Sequence, residues 1–371
     1  MPLTIGPHRV DPPVVLAPMA GVTDAPFRVV CAAAGGGLFV SEMVTARGLV
    51  EGNRKSKEMT RHHPAEPIRS LQLYGSDPVV MGEAVRRLVD AGIEHVDLNF
   101  GCPVPKITRN GGGAALPYKR RLFADVVHAA VSAAAGVPVT VKMRIGLDDD
   151  RVTFLEAGRQ AADLGVAAVA LHARTAVQGY AGTARWEAIA ALKEALPAIP
   201  VLGNGDIWAA ADALAMVAQT GCDGVVIGRG CMGRPWLFSD LARAFAGLPP
   251  VGPPPLGDVV ADARRHLHLS LEWYGDEVAA VRRFRKHLRW YLQGYPVGHD
   301  AHRRAGLAEA AAEVTTLLDG LDPQLQVVDS AVRAPRGRTG AMPRLVLPDG
   351  WCDDRDALPS VAEPALAVSG G

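Results

Sequence analysis

Three observations predict an α/β fold, a (β/α)8 TIM barrel with a C-terminal helical domain. Eight short apolar runs recur between residues 14 and 227, a helix-length segment follows each, and a proline-rich stretch precedes purely helical patterning. Strands alternating with helices pair in parallel, and eight of them over about 240 residues favour a closed barrel over an open doubly wound sheet. At 371 residues and 49% hydrophobic content the chain can bury such a core.

The runs are 14–16, 38–40, 68–73, 95–98, 137–143, 167–172, 200–202 and 224–227. They are apolar throughout rather than alternating, as strands covered on both faces are. Asp77-Pro78 opens one helix with a capping side chain and a first-turn proline, and Gly92 and Gly165 follow two others. Barrel chemistry sits where strands end. There the sequence places Pro18-Met19, Gln72, Asn99 with Cys102, Lys142, His172, Asn204 with Asp206, and Gly228-Arg229. Strand starts carry nothing comparable.

Cys102 stands out. It lies in Asp97-Leu98-Asn99-Phe100-Gly101-Cys102-Pro103, just past a strand. An ordinary thiol, with a pKa of about 8.5, is mostly protonated near neutrality and can donate a proton. Free cysteine also serves as a small buried gap filler. The lysine, histidine, glutamine and asparagine aimed into the same mouth favour the chemical role. Gly203-Asn204-Gly205-Asp206 and Gly228-Arg229-Gly230 follow the last two strands, where this fold commonly holds a phosphate. Glycine lets backbone N–H groups approach phosphate oxygens, and Arg229 adds charged donors. A phosphate site beside Gln72, Lys142 and His172 suits a phosphorylated aromatic cofactor, and flavin mononucleotide (FMN) fits. Lys142 at the flavin's pyrimidine edge would stabilise the reduced anion; its alternative is a barrel salt bridge.

Composition narrows the class. The 39 basic residues balance 39 acidic ones, so no global field advertises nucleic acid. The five cysteines form no C-x-x-C pair, which argues against a zinc site, an iron–sulfur cluster or a disulfide framework and fits a reducing cytosol. No signal peptide and no apolar run of about 18 residues is present, so a cytoplasmic protein without membrane or metal is expected.

The segments read as a barrel over 1–247, a proline-rich linker over 248–257, a helical domain over 258–328 and a Pro/Gly-rich tail over 329–371. Disorder or a surface strap is the expectation for the tail, which carries Arg333, Arg336, Arg338 and Arg344. In the helical domain, Val281, Phe284, Leu288 and Leu292 share one face, and Arg282, Lys286, Arg289 and Gln293 the opposite one. That stripe suits RNA phosphates or plain solvent. The loop 106–116, with Gly111, Gly112 and Gly113, reads as a mobile lid over the site or as an ordinary surface loop. Asp148-Asp149-Asp150 reads as a helix start, and His62-His63 as surface residues.

Several stretches together resemble the tRNA-dihydrouridine synthase family, in its bacterial B-like branch. They are Ala17-Pro18-Met19-Ala20-Gly21-Val22-Thr23-Asp24, Gln72-Leu73-Tyr74-Gly75, Asp97 to Pro103, Val141-Lys142-Met143-Arg144, Asn204-Gly205-Asp206 and Gly228-Arg229-Gly230. The resemblance implies FMN held by Pro18, Met19, Ala20, Gln72, Lys142, His172, Asn204, Gly205, Asp206, Gly228 and Arg229. Asn99 would face the uracil, with Arg174 also on the substrate side and Cys102 as catalytic proton donor. NADPH (or NADH) would recharge the FMN, whose hydride reaches C6 of a tRNA uridine while Cys102 protonates C5. Lys286 to Tyr291 matches the family's Lys-His-x-x-Trp-Tyr stretch, which implies that Arg282, Lys286 and Arg289 contact tRNA. Ala176 stands where many relatives carry a basic residue, so no phosphate contact is expected there. No obligate protein partner is evident.

The chemistry agrees with this resemblance. Hydride addition to C5=C6 builds enolate character that needs a nearby acid, and the base must first leave its stack. A flavin barrel acting on a small metabolite would leave the helical domain without a job. An RNA-binding protein using the barrel as scaffold would need no flavin.

Overall fold

Burial on both faces explains the strand sequences. In Val14–Leu16, His95–Phe100, Ala168–His172, Val201–Asn204 and Gly224–Ile227 every residue is buried. The computed structural model describes residues 3–342 and 344–358. Within it, neighbouring strands pair in parallel from Met43–Thr45 through Ser70–Tyr74, His95–Phe100, Val139–Arg144, Ala168–His172, Val201–Asn204 and Gly224–Ile227 to Val14–Leu16 and Leu38–Phe39.

The two ends of that order are consecutive in the chain, so they form one interrupted second stave. Leu38–Phe39 pairs with the first strand and Met43–Thr45 with the third. Ser41 spans the break: its amide donates to Ser70 O at 3.1 Å, and its hydroxyl accepts from the Gln72 amide at 3.3 Å. The barrel thereby closes with eight staves. The expected run at 38–40 covers only half of the second stave, because residues 43–45 carry no distinct apolar run.

An N-terminal hairpin, Leu3–Ile5 with His8–Val10, was not expected from the sequence. Its Leu3, Ile5 and Val10 pack with Val15, Leu38, Ala168, Leu202 and Val226, the inward residues at the strand starts. The N-terminal end of the barrel is thus plugged by side chains, and the opposite rim is left for chemistry.

Helices Leu256–Tyr274, Glu277–Leu292, Gly298–Leu307 and Ala311–Asp319 share a separate core that includes Leu256, Phe284, Leu288, Tyr291 and Leu317. Val281, Phe284, Leu288 and Leu292 are all buried, as their spacing requires. Gly275, at φ 64°, ends the first of these helices in the left-handed conformation that glycine adopts without strain. Asp276 then caps the second, accepting from the Ala279 amide at 2.7 Å.

The domain docks on the barrel's first helix, Ala25–Ala34. The Phe27 ring lies 5.0 Å from His287 and 5.7 Å from His266, and Tyr274 donates to Asp24 Oδ2 at 2.7 Å. Asp24, His266 and His287 bring ligand-type atoms within 4.8 Å of one another. Both carboxylate oxygens of Asp24 are already committed, one to the Phe27 amide and one to Tyr274.

The tail takes one of its two expected forms, and the readings of Asp148 and His62 change. Of the two forms expected for the tail, residues 329–342 and 344–358 take the strap: Arg336 and Trp351 are 2% and 3% exposed, and the segment lies across the barrel rim. Residue 343 and residues 359–371 of the expected tail lie outside the described residues. Asp148 organises a turn rather than a helix start. Its carboxylate accepts from the Arg151 amide at 2.8 Å, and the helix begins only at Phe154. Nor is His62 a plain surface residue, since its ring nitrogens reach Thr60 O and Ser70 O.

Candidate active site

A cavity open to solvent lies at the C-terminal rim. Of the residues the sequence singled out, Pro18, Met19, Lys142, His172, Asn204, Gly205, Asp206, Gly228 and Arg229 line it. Tyr180 and Trp208 line it as well, and the sequence carries no signal for them. Ala20 is exposed at the rim, outside the lining. Gln72 is also outside it, fully buried beneath.

At the seventh and eighth strands, Asp206 holds the turn together. Both its oxygens accept from Arg174 Nη2 at 2.8 Å, and one also accepts from the Ala184 amide at 2.7 Å. Arg174, expected on the substrate side, is held by Asp206 through one of its nitrogens. It is 1% exposed and donates further to Ala181 O and Gly182 O. Its Nη1 has no partner among the described residues and lies 3.7 Å from where a Cβ on the cavity residue Gly205 would be. Arg229 stays at the cavity, its guanidinium 4.6 Å from the Tyr180 ring and 5.0 Å from the Trp208 ring.

The two glycines of the Arg229 turn differ. A Cβ on Gly230 would lie 2.2 Å from Ile207 O, so protein packing alone demands glycine there. A Cβ on Gly228 would meet nothing closer than Ala17 Cβ at 3.8 Å. The protein leaves that space empty on the cavity side, beside Arg229. Such a cradle suits an oxygen-rich anion brought against the backbone.

Lys142 and His172 occupy the cavity wall. Lys142 Nζ donates to Asn204 Oδ1 at 2.9 Å, and Asn204 Nδ2 donates to Val226 O at 2.8 Å. No carboxylate faces Lys142 at salt-bridge distance among the described residues. Burial, then the Arg144 charge, lowers Lys142 to about 8, against the pull of Asp97. Burial and the same cluster of cations, Arg144, Lys142, Arg174 and Arg229, push His172 well below its usual value, so it is neutral.

Cys102 sits half-buried on the same rim. Its thiol is raised by burial, which the Val104 amide and Arg144 partly offset, so it carries its proton at neutral pH. Arg144 joins it to the rest of the site. This guanidinium donates to Gly101 O at 2.8 Å and feels the charges of Tyr180, Cys102, Arg174 and Arg229.

Below Cys102 a buried hydrogen-bond relay sets the polarity of the loop. Asp97 accepts from Thr140 Oγ1 at 2.6 Å and from Gln72 Nε2 at 2.7 Å. Gln72 Oε1 then accepts from Asn99 Nδ2 at 2.8 Å. Asn99 Oδ1 in turn accepts from the amides of Gly101 at 3.1 Å and Cys102 at 2.9 Å. A carboxylate only accepts, so it fixes which way both amides point. Burial raises Asp97 to about 6, opposed by the bonds from Thr140 and Gln72.

The loop expected as a lid or plain connection is ordered and well packed. It folds into a helical turn, Pro105–Thr108, and a 3-10 segment, Gly113–Tyr118, in which five residues are buried. Its glycines permit close approach. A Cβ on Gly111 would lie 2.4 Å from the Trp351 ring, and one on Gly113 would lie 2.5 Å from Cys102 O.

The basic helix presents its cations in different directions. Arg282 and Arg289 are exposed, and Arg289 leans over Gly306. Lys286 points to the rim, with Nζ 3.3 Å from where a Gly21 Cβ would be and with Asp24 and Glu42 as its nearest counter-charges. Among the described residues no helix is long and apolar enough to cross a membrane.

Comparison with known proteins agrees with this site. Residues 15–327 match the family model for dihydrouridine synthase (Dus). A probable tRNA-dihydrouridine synthase of Mycobacterium tuberculosis is 52% identical over 379 residues, covering 100% of this chain and 97% of its own length. The tRNA-dihydrouridine synthase B of Xanthomonas campestris is 40% identical, covering 87% of this chain and 99% of its own. Among solved structures, histamine dehydrogenase from Rhizobium sp. 4-9 shares the fold at a TM-score of 0.51 and 14% identity, over 86% of this chain and 63% of that one. A family match across the barrel and the helical domain, with the strand-end residues gathered at one rim, establishes that this chain is an enzyme of the dihydrouridine synthase family.

Proposed function

We propose that this enzyme reduces the C5=C6 bond of uridines in tRNA to 5,6-dihydrouridine, using FMN recharged by NADPH, in the cytoplasm. The observation that carries the reading is Arg144, which lies between the Cys102 loop and the Arg229 turn and so joins a protonated thiol to an anion cradle. The open space at Gly228, the Arg229 guanidinium and the cavity beside Lys142 fit a phosphorylated ring system. Gly228, Gly205 and Arg229 would hold its phosphate, and Lys142 its pyrimidine edge. When bound, reduced FMN supplies a hydride for C6.

The protein does the rest. Cys102 gives its proton to C5, and Arg144 steadies the thiolate left behind. The Asn99 carbonyl is occupied by the Gly101 and Cys102 amides. Its second N–H donates to the weak acceptor Met43 Sδ at 3.4 Å, and a uracil carbonyl would take that bond over. Neutral His172 adds a hydrogen-bonding group to the wall without adding charge. Lys286 at the rim would meet the phosphates of the displaced strand, with Arg282 and Arg289 farther out along the tRNA.

The test is direct. The purified protein should carry flavin absorbance, and incubation with NADPH and tRNA from a dihydrouridine-free strain should yield dihydrouridine by nucleoside mass analysis. Flavin-loaded protein that oxidises NADPH but leaves tRNA unmodified would point to a small-molecule substrate instead.

A further inference from the structure

Residues 328–371 lie beyond the family match, and the Xanthomonas relative, aligned over 99% of its length, covers 87% of this chain. The Mycobacterium relative covers all of it. The described part of this extra segment grips three rim loops in turn. Arg336 enters between the domains, its guanidinium donating to Met232 O at 3.0 Å, Trp290 O at 2.5 Å and Gln293 O at 2.9 Å. Next, Arg229 donates to Arg338 O at 2.6 Å, tying the anion-cradle arginine to the strap. Tyr180, which lines the cavity, donates its amide to Gly340 O at 3.1 Å, and the Met342 amide donates to Val177 O at 3.2 Å.

The strap ends on the cysteine loop. Thr108 Oγ1 donates to Val346 O at 2.6 Å, and Trp351 Nε1 donates to Ala115 O at 3.1 Å. The indole lies on Gly111, one packing layer from Gly113 and the Ala114 amide, which donates to Cys102 O at 3.0 Å. Beyond it, Tyr118 donates to Cys352 O, and Arg355 pairs with Glu156 at 2.6 Å.

We infer that this C-terminal strap is a working part of the active site, with Trp351 a positioning residue that holds the Cys102 loop against the substrate. The inference rests on the reading of Cys102 as proton donor. The physical reason is local. Residues 105–118 contain two short helical turns and three adjacent glycines, which cost conformational entropy to order. A buried indole and two side-chain anchors add to the packing that Ala115 and Leu116 make in the barrel core. Reactions that need a donor within hydrogen-bond reach are sensitive to such placement, and a shift of about 1 Å can cost about a hundredfold in rate.

The experiment uses the full-length, FMN-loaded enzyme with Trp351→Ala and Trp351→Phe. Amide hydrogen exchange is followed over 105–118, and flavin reduction by NADPH and reoxidation by tRNA are timed separately. Trp351→Ala should speed exchange across 105–118 and slow the tRNA step about tenfold or more, while reduction by NADPH stays within about twofold. Trp351→Phe should restore most of both, because it keeps the packing and loses only the Ala115 bond. An unchanged tRNA step, or an equal slowing of both steps, overturns the inference. Should Trp351→Ala not fold, Thr108→Val removes only the Val346 anchor and should move exchange and tRNA step in the same direction. If tRNA does not reoxidise the wild-type enzyme, the proposed function has failed, while the exchange measurement still tests the strap.

Discussion

Replacing Asp97 by Asn separates two effects of one buried carboxylate. Burial raises Asp97 from 3.8 to about 6, so its ionised form at pH 7 costs the fold roughly 3 kcal/mol. The folded state therefore takes up a proton at higher pH than the unfolded state. Stability from this group rises as pH falls through 6, regains roughly 1 kcal/mol by pH 5 and completes its gain below about 3.8. In Asp97→Asn that gain vanishes. The Asn side chain also has a donor where the carboxylate had only acceptors. If Gln72 turns to meet it, its Nε2 faces Asn99 Nδ2, and a turned Asn99 confronts two backbone amides with donors. One such mismatch costs about 1–3 kcal/mol, enough to shift the Cys102 loop and slow the tRNA step about tenfold or more. Urea melts of both proteins at pH 5 and pH 7, with single-turnover reoxidation by tRNA, measure both effects. If the variant retains the pH 5 gain and its tRNA step is unchanged, Asp97 neither titrates there nor orients Asn99.

Other substitutions probe separate parts of the site. Cys102→Ala should keep flavin binding and NADPH oxidation while slowing tRNA turnover by about a hundredfold or more, read by stopped-flow reoxidation. Gly228→Ala should bind FMN about tenfold more weakly by fluorescence titration, as the methyl fills the cradle. Lys286→Ala should raise KM for tRNA more than Arg282→Ala or Arg289→Ala, because Lys286 alone of the three points to the rim. Each lost phosphate contact should lower the salt slope of binding by about one.

Much was legible in the chain. Strands buried on both faces have to be apolar at every position, so the barrel could be read from eight runs even though the second stave breaks at residues 40–42. Strand-end residues are tied to the rim by connectivity alone, which is why Lys142, His172, Asn204, Asp206 and Arg229 could be named before the cavity was seen. A regular 3.6-residue period likewise exposed the buried face of Glu277–Leu292.

Long-range partners left no such trace. Nothing local in the sequence says that Asp206, on the next strand's loop, pairs with Arg174 through Nη2. Gln72, Asp97 and Asn99 form a directional relay only because adjacent staves bring them side by side. The glycines at 111–113 suggested a lid, since a close approach needs a second body, and for Gly111 that body is Trp351, 240 positions along the chain. Periodicity and motif spacing report what each segment buries or where a strand ends. Which distant side chain saturates a donor, and which segment of chain covers a loop, is decided only when the barrel closes and the C-terminal strap is laid across its rim.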